Sequence, residues 1–387
     1  MSSDKSVSLR IGLVAGESSG DLLAAGLIKA IRAREPDAVF EGVAGPEMIA
    51  AGCDAWADAE TLAVMGLIEP LKHLPELIRL RRSLIRRWRQ APPDVFVGID
   101  APDFNLGLEI ALRKSSIRTM HYVSPSVWAW RKWRIRKIRK AADCVLCILP
   151  FEPAVYANQG IDAVFVGHPK ASSMSADNDA GVARDALGLP AGRRVIAVLP
   201  GSRRSEVTRL GPIFAAAARR IAASDEHIRF VTPVASPKLR PLVEKCLQDA
   251  GVTDRFTLVD GDSERAMMAA DVVLLASGTA ALESALLGKP TVAAYRVAAL
   301  TYSILYWFNM VDVRHFTLPN LLTENPVIPE FIQDDATPDA IANEVISMLD
   351  DPQRCADISA TFAKLQSELA LDANERAADA LINLVAQ

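Results

Sequence analysis

Short apolar, β-branched runs alternate along this chain with longer stretches of mixed polarity. The runs at 9–15, 38–43, 95–99, 118–123, 144–149 and 163–166 have the length and residue types of buried strands. Between them, at 21–34, 71–90, 104–113 and 133–141, apolar positions recur at helical spacing. A polar, small-residue stretch at 170–181 breaks the rhythm. The pattern restarts with runs at 195–199, 230–234, 256–259, 272–275 and 291–295, and helical patterns from 338 onward finish the chain. Continuous apolar strands separated by helices predict parallel sheets covered on both faces. The class is therefore α/β, with two doubly wound, Rossmann-like domains in tandem.

Composition agrees. At 387 residues the chain is long for a single core. Half its residues are hydrophobic and 23% are charged, which excludes a disordered chain. A mean hydropathy of +0.16 points to thorough burial or to an apolar partner. Residues 1–5 are polar and the first apolar run ends in Gly16-Glu-Ser-Ser-Gly20 rather than a cleavage site. The uncharged segment 297–311 is short for a membrane span, so the expectation is a cytoplasmic protein, with peripheral membrane association left open.

Five scattered cysteines do not form a disulfide framework. Cys144 and Cys147 have zinc-knuckle spacing, but residues three apart in a strand face opposite sides, so both read as buried strand cysteines and not as a metal site. The five histidines show no metal-ligand spacing either; His121 and His168 follow apolar strands and are candidates to line a cleft. Charge is uneven. Residues 1–170 carry 23 Lys+Arg against 19 Asp+Glu, whereas the remainder carries 20 against 28. The basic excess lies in two clusters, Lys72 to Arg89 and Arg131 to Lys140, and implies an anionic partner for the first half.

In open parallel sheets, ligands bind beyond the carboxyl ends of the strands, and four such loops carry candidate chemistry. Gly16-Glu-Ser-Ser-Gly-Asp21 matches neither common glycine-rich nucleotide pattern, and a capped turn explains it equally well. Gly98-Ile-Asp-Ala-Pro-Asp103 places two carboxylates past a strand. Asp103 reads as the cap of the following helix, which leaves Asp100 as a candidate general base. Leu199-Pro-Gly-Ser-Arg203 offers Arg203 to a diphosphate at a helix start. Ser277, Gly278 and Thr279 can present amides and hydroxyls to a diphosphate, and Glu283 can accept from a ribose diol. Asp260-Gly-Asp262 reads as a turn with a helix cap, not as a metal motif.

Taken together, the segments resemble the lipid A disaccharide synthases, inverting glycosyltransferases of the GT-B architecture. The resemblance rests on Ala15-Gly-Glu-Ser-Ser-Gly-Asp21, Gly42-Val-Ala-Gly-Pro46, Ala63-Val-Met-Gly66, Gly98-Ile-Asp-Ala-Pro-Asp-Phe-Asn105 and His121-Tyr-Val-Ser-Pro-Ser-Val-Trp-Ala-Trp130. It continues through Leu149-Pro-Phe-Glu152, Val166-Gly-His-Pro169, Leu199-Pro-Gly-Ser-Arg203, Ala276-Ser-Gly-Thr-Ala-Ala-Leu-Glu283 and Leu318-Pro-Asn-Leu-Leu322.

It implies two domains facing a cleft, with an acceptor and base domain at 1–170 and a UDP-donor domain at 181–350. Helices at 351–387 would pack back on the N-terminal domain of their own or a partner chain. The reaction implied joins UDP-2,3-diacylglucosamine to 2,3-diacylglucosamine 1-phosphate, giving the β-1,6 disaccharide phosphate and UDP. Asp100 is similar to the family's base, Arg203 to its phosphate ligand and Glu283 to its ribose ligand. Asn320 is similar to a residue required at the cleft, and Ser19 would lie near the reacting sugars. No cofactor or catalytic metal is implied, and no nucleic acid. Peripheral attachment to the inner membrane and a homodimer with exchanged C-terminal segments are.

In that light the stretch 62–89 gains a purpose. Leu67, Leu71, Leu74, Leu77, Ile78, Leu80, Leu84 and Ile85 are interleaved with Arg81, Arg82, Arg86 and Arg87, as in a helix lying on an anionic bilayer. An ordinary amphipathic helix with a solvated basic face has the same pattern. The aromatic run Tyr302, Tyr306, Trp307 and Phe308 fits acyl contact, a dimer interface or plain core. Two rival functions share many of these features: another GT-B-like UDP-sugar enzyme of the 2-epimerase type, and a non-catalytic binder of acidic lipid or nucleotide-sugar. The first leaves the basic amphipathic stretch without a role, and the second leaves Asp100 without one.

Overall fold

A computed structural model of the chain describes residues 8–63, 70–129, 132–174, 179–297 and 315–387. The fold divides into two compact units, Met1–Ser172 with Leu369–Gln387, and Ser173–Glu368. The first holds a seven-stranded parallel sheet of β1 (Arg10–Ala15), β2 (Val39–Ala44), β3 (Asp54–Asp58), β4 (Val95–Ile99), β5 (Arg118–Tyr122), β6 (Cys144–Cys147) and β7 (Asp162–Phe165). Their spatial order is β3-β2-β1-β4-β5-β6-β7.

Side-chain alternation places helices on both faces of this sheet. Ile11, Leu13 and Ala15 of β1 and Val95, Val97 and Ile99 of β4 share one core with the helix Ser18–Arg34. Val14 and Phe96 point the other way, into a core with Leu84, Trp88 and Leu108. Cys144 and Cys147 also separate, one into each side's core. Burial pushes the Cys144 thiol up to about 12, the signature of an inert structural cysteine.

The last helix, Ala373–Ala386, lies on the first unit's sheet beside Ser18–Arg34 and contributes Ala377, Ala378, Leu381 and Leu384 to that core. Arg34 bonds both Glu375 and Asp379 at 2.6 Å, and Arg118 Nη1 donates to the Leu384 carbonyl at 2.6 Å. Of the C-terminal segment, the helix Pro352–Leu369 belongs to the second unit, apart from its last residue.

The second unit holds a six-stranded parallel sheet of β8 (Val195–Leu199), β9 (Arg229–Val234), β10 (Phe256–Asp260), β11 (Val272–Ala276), β12 (Thr291–Tyr295) and β13 (Glu330–Ile332), in the order β10-β9-β8-β11-β12-β13. Two strands lie outside the predicted set, β3 (Asp-Ala-Trp-Ala-Asp) and the three-residue β13, and both are edge strands. Neither carries an apolar run, since β3 is bounded by aspartates and β13 has three residues, whereas the other two edge strands, β7 and β10, keep one. Among the described residues no helix is long and apolar enough to cross a membrane.

The apolar stripe of the amphipathic helix Pro70–Gln90 is in part covered by the protein itself. Leu77, Leu84 and Trp88 are buried in the first unit, and Trp88 Nε1 donates to Glu41 Oε1 at 3.2 Å. The C-terminal part of the apolar stripe therefore faces the sheet, where Gly12 of β1 makes room for the Trp88 ring. Arg82 and Arg86 are exposed. Arg87 lies over the Trp56 ring at 3.6 Å, and Arg81 folds onto Gly107 of a neighbouring helix, within 2.7 Å of where a Cβ would stand. Leu67, Arg131 and the aromatic run Tyr302, Tyr306, Trp307 and Phe308 lie outside the described residues.

Candidate active site

Each sheet reverses its winding once. In the first, β1 lies between β2 and β4, so the loops after β1 and β4 flank the switch point. In the second, β8 lies between β9 and β11, which puts the loops after β8 and β11 side by side. Ser19 and Asp100 fall at the first switch point; Arg203, Ser277, Gly278, Thr279 and Glu283 fall at the second. The two loops of the first switch point touch, because Gly16 leaves room for Ala101, whose Cβ lies 2.5 Å from where a Gly16 Cβ would stand.

Asp100 directly follows β4 and is half-buried. It adopts φ +50° and Ala101 φ +43°, so two successive non-glycine residues occupy the left-handed region. Such a turn costs of order 1–3 kcal/mol per residue and persists only where its surroundings over-determine it. Here the Asp100 amide donates to the Tyr122 carbonyl at 2.8 Å, and Asn105 Nδ2 donates to the Asp100 carbonyl at 2.8 Å. Asn105 is fully buried, and the same NH2 also reaches Val14 O and Ile99 O at 3.3 Å.

Beneath this turn lies a buried pair. His121 Nδ1 is 2.7 Å from Glu109 Oε1, and neither side chain is exposed to solvent. Burial disfavours the imidazolium, but the Glu109 carboxylate and its hydrogen bond outweigh it, with Asp100 adding to the attraction, so the His121 pKa is raised. Gly98 makes the arrangement fit, since a Cβ there would strike Glu109 and Asn105. His121 thus serves inside the domain. His168 follows β7 with its amide bonded to Leu369 O at 2.9 Å, and burial lowers its pKa to about 4.

Two first-unit carboxylates have roles the sequence did not assign. Asp103 does not cap its helix: Pro102–Arg113 starts from Ala101 with no side-chain cap, and Asp103, already in the first turn, pairs with Arg134 at 2.5 Å. Asp21 is buried and accepts from the amides of Gly45, Glu47 and Met48 at 2.9–3.0 Å, so it fastens the helix Pro46–Ala50 to the first turn of the helix Ser18–Arg34. Ser19 is exposed at the start of the helix Ser18–Arg34.

In the second unit Arg203 is the N-cap of the helix Arg204–Ser224 and its side chain is 66% exposed. Glu206 shapes the loop: its Oε2 accepts from the Ser202 and Arg203 amides at 3.0 and 3.2 Å, and its Oε1 lies 3.3 Å from Arg203 Nη1. This is half of a capping box: Glu206 accepts from the cap amide, but the Arg203 side chain has no acceptor to return the bond, so the serine or threonine that marks such a box in a sequence is missing. Ser277 is half-buried, its amide donating to Ala294 O at 2.9 Å and its hydroxyl to Phe316 O at 3.2 Å. Gly278 and Thr279 are exposed, and half-buried Glu283 follows one turn into the helix Thr279–Leu286.

Asn320 has its side-chain amide engaged with nearby backbone. Its side chain is buried, Nδ2 donating to Ile328 O at 2.7 Å and Oδ1 accepting from the Val327 and Ile328 amides at 2.8 Å. It fastens the helix Leu318–Leu322 to the approach to β13. Glu330 of β13 secures the preceding segment, accepting at 2.7 Å from both the amide and the hydroxyl of Thr317.

Asp262 caps the helix Ser263–Ala269 by accepting from the Arg265 amide, and Asp260 pairs with Arg240, in keeping with a turn at that motif. Among the described residues no group of three or more His, Cys, Asp or Glu is placed to hold a metal ion.

A family model described as "Lipid-A-disaccharide synthetase" matches residues 11–384. A lipid-A-disaccharide synthase of Xanthomonas campestris pv. campestris is 46% identical over 379 residues, covering 98% of this chain and 86% of that protein. The synthase of Pseudomonas aeruginosa (strain UCBPP-PA14) is 48% identical over 377 residues, covering 97% and 98%. Among solved structures, a Staphylococcus aureus MnaA–UDP complex superposes with a TM-score of 0.64 at 14% identity, covering 97% of this chain and 95% of that one. The UDP-GlcNAc 2-epimerase of Neisseria meningitidis bound to UDP-GlcNAc gives 0.61 at 12% identity, covering 98% and 100%. At such identities the structural likeness shows the fold, a GT-B pair of parallel-sheet α/β domains. The sequence relatives show more: the chain belongs to the lipid-A-disaccharide synthase family and is a glycosyltransferase of lipid A biosynthesis.

Proposed function

We propose that the enzyme transfers the sugar of UDP-2,3-diacylglucosamine to the 6-hydroxyl of 2,3-diacylglucosamine 1-phosphate, with inversion, giving the β-1,6 disaccharide phosphate and UDP. Asp100 takes the proton of the acceptor hydroxyl while that oxygen attacks the anomeric carbon. The bond to the UDP oxygen breaks in the same displacement, and Arg203, with the amides of Gly278 and Thr279, stabilises the charge left on the diphosphate. Ser277 shapes that loop from beneath, Glu283 accepts from the ribose hydroxyls, and Ser19 contacts the reacting sugars at the helix start. Asn320 acts as a positioning residue for the segment carrying it. The observation that carries the reading is the fixed turn at Asp100, which holds a half-buried carboxylate at a sheet switch point.

The surface partner we propose is an anionic bilayer at the inner membrane, met through Arg82 and Arg86. A homodimer exchanging Leu369–Gln387 would keep every contact that segment makes with the first unit. Purified enzyme incubated with both diacylated sugars is expected to release UDP in step with disaccharide phosphate. UDP-sugar turnover without disaccharide, as a 2-epimerase would give, overturns the reading.

A further inference from the structure

The helix Pro102–Arg113 begins directly after the Asp100 turn and is flanked by Pro70–Gln90 on one side and Ile135–Ala141 on the other. Cations from both neighbours reach its outer face. From one side Arg81 lies against Gly107, where any side chain would displace its guanidinium. From the other, Arg134 bonds Asp103 one turn earlier, and Lys137 lies close enough to both arginines and to Asp103 to feel their charges.

The balance of the group is unusual. The Arg134 side chain is only 9% exposed, whereas its carboxylate partner Asp103 is 62% exposed. Burial lowers the Lys137 pKa, with Asp103 and, more weakly, Glu109 opposing the shift and Arg134 and Arg81 adding repulsion. Three cations thus gather beside exposed Asp103, while the other nearby carboxylate, Glu109, is already paired with His121 beneath the helix, so positive charge is in excess at a partly desolvated surface. A group that supplies two negative charges and three acceptor oxygens relieves that excess better than one more carboxylate.

We propose that Arg81, Arg134 and Lys137 form a phosphomonoester site for the acceptor sugar, about one helical turn beyond Asp100. This rests on the proposed role of Asp100 and deepens it. With the acceptor hydroxyl at Asp100 and its phosphate on the helix face between Asp103 and Gly107, the sugar is held at both ends and its reacting oxygen is oriented. The site selects a phosphorylated acceptor over a neutral one.

The test uses the full-length enzyme, saturating donor, and two acceptors, 2,3-diacylglucosamine 1-phosphate and the same sugar without phosphate. Lys137→Gln and Arg81→Gln are each expected to lower the ratio of kcat/KM between phosphorylated and unphosphorylated acceptor about tenfold, the scale of one lost charge-assisted hydrogen bond. Lys137→Arg is expected to retain most of the ratio. Binding to vesicles of anionic lipid is measured in parallel. An unchanged ratio overturns the proposal. So does an equal loss on both acceptors that tracks weakened vesicle binding, which assigns the cations to lipid headgroups. If wild-type enzyme makes disaccharide from neither acceptor, the proposed function itself fails and takes this site with it.

Discussion

Asn105 Nδ2 donates to the carbonyl oxygen of Asp100 at 2.8 Å, closing from below a turn in which Asp100 and Ala101 are both left-handed. The bond couples a buried amide to the orientation of the proposed base. Asp100→Asn keeps the turn and removes the base, so kcat is expected to fall about 10²- to 10⁴-fold with UDP affinity unchanged. Asn105→Ala keeps the base and loosens the turn. It is expected to lower kcat, again with UDP affinity intact, and to destabilise the protein by about 1–3 kcal/mol in urea unfolding. Wild-type turnover in either variant removes that residue from the mechanism.

The diphosphate ligands make a separate prediction. Arg203→Ala is expected to weaken UDP binding about tenfold or more, read by titration calorimetry. Glu206→Ala removes the acceptor that holds the Ser202 and Arg203 amides. A loss of about 1 kcal/mol of stability is expected, the usual cost of a missing helix cap.

Glu152 carries a pH signature. Burial pushes its carboxyl up to about 7, only partly offset by the Leu149 amide, the Trp128 and Ser124 side chains and the Ile148 amide. The folded protein then holds a proton that the unfolded chain releases near the ordinary carboxylate value, so stability falls as pH rises from about 4.5 to about 7. Glu152→Gln abolishes that dependence. Relative to wild type, the variant is expected to gain about 3 kcal/mol between pH 4.5 and 8 in denaturant titrations. Parallel curves would show that Glu152 ionises normally.

For the membrane, Arg82→Gln with Arg86→Gln is expected to weaken partition onto anionic vesicles about thirtyfold, two charges at about 1 kcal/mol each. Arg87→Gln should act mainly on stability, because its guanidinium covers the Trp56 ring. Unchanged sedimentation with vesicles in the double variant would move the contact elsewhere.

Much of this architecture was legible because buried parallel strands leave uninterrupted apolar runs, as in Val-Phe-Val-Gly-Ile of β4. Edge strands β3 and β13 leave none. The loops at the strand ends could be found from the sequence, yet what each side chain does there depended on contacts across long separations. Asp103 had the residue type and place of a cap but bonds Arg134, 31 residues away. Asn320 carried a family role, while its amide is occupied by backbone eight residues on. The stripe of Pro70–Gln90 fitted a bilayer and a sheet equally, since periodicity tells that a face is apolar and not what covers it.

The segment Leu369–Gln387, which completes the core of the first unit, sets the order in which a growing chain can finish folding. Ser173–Glu368 is one uninterrupted stretch and can close its core without any residue from outside it. The first unit contains β1 but must wait for Ala377, Ala378, Leu381 and Leu384, from the far end of the chain, before the apolar surface of Ser18–Arg34 is covered. Until then a nascent chain displays that patch to chaperones and to sister chains alike, so the half made first is the half that matures last.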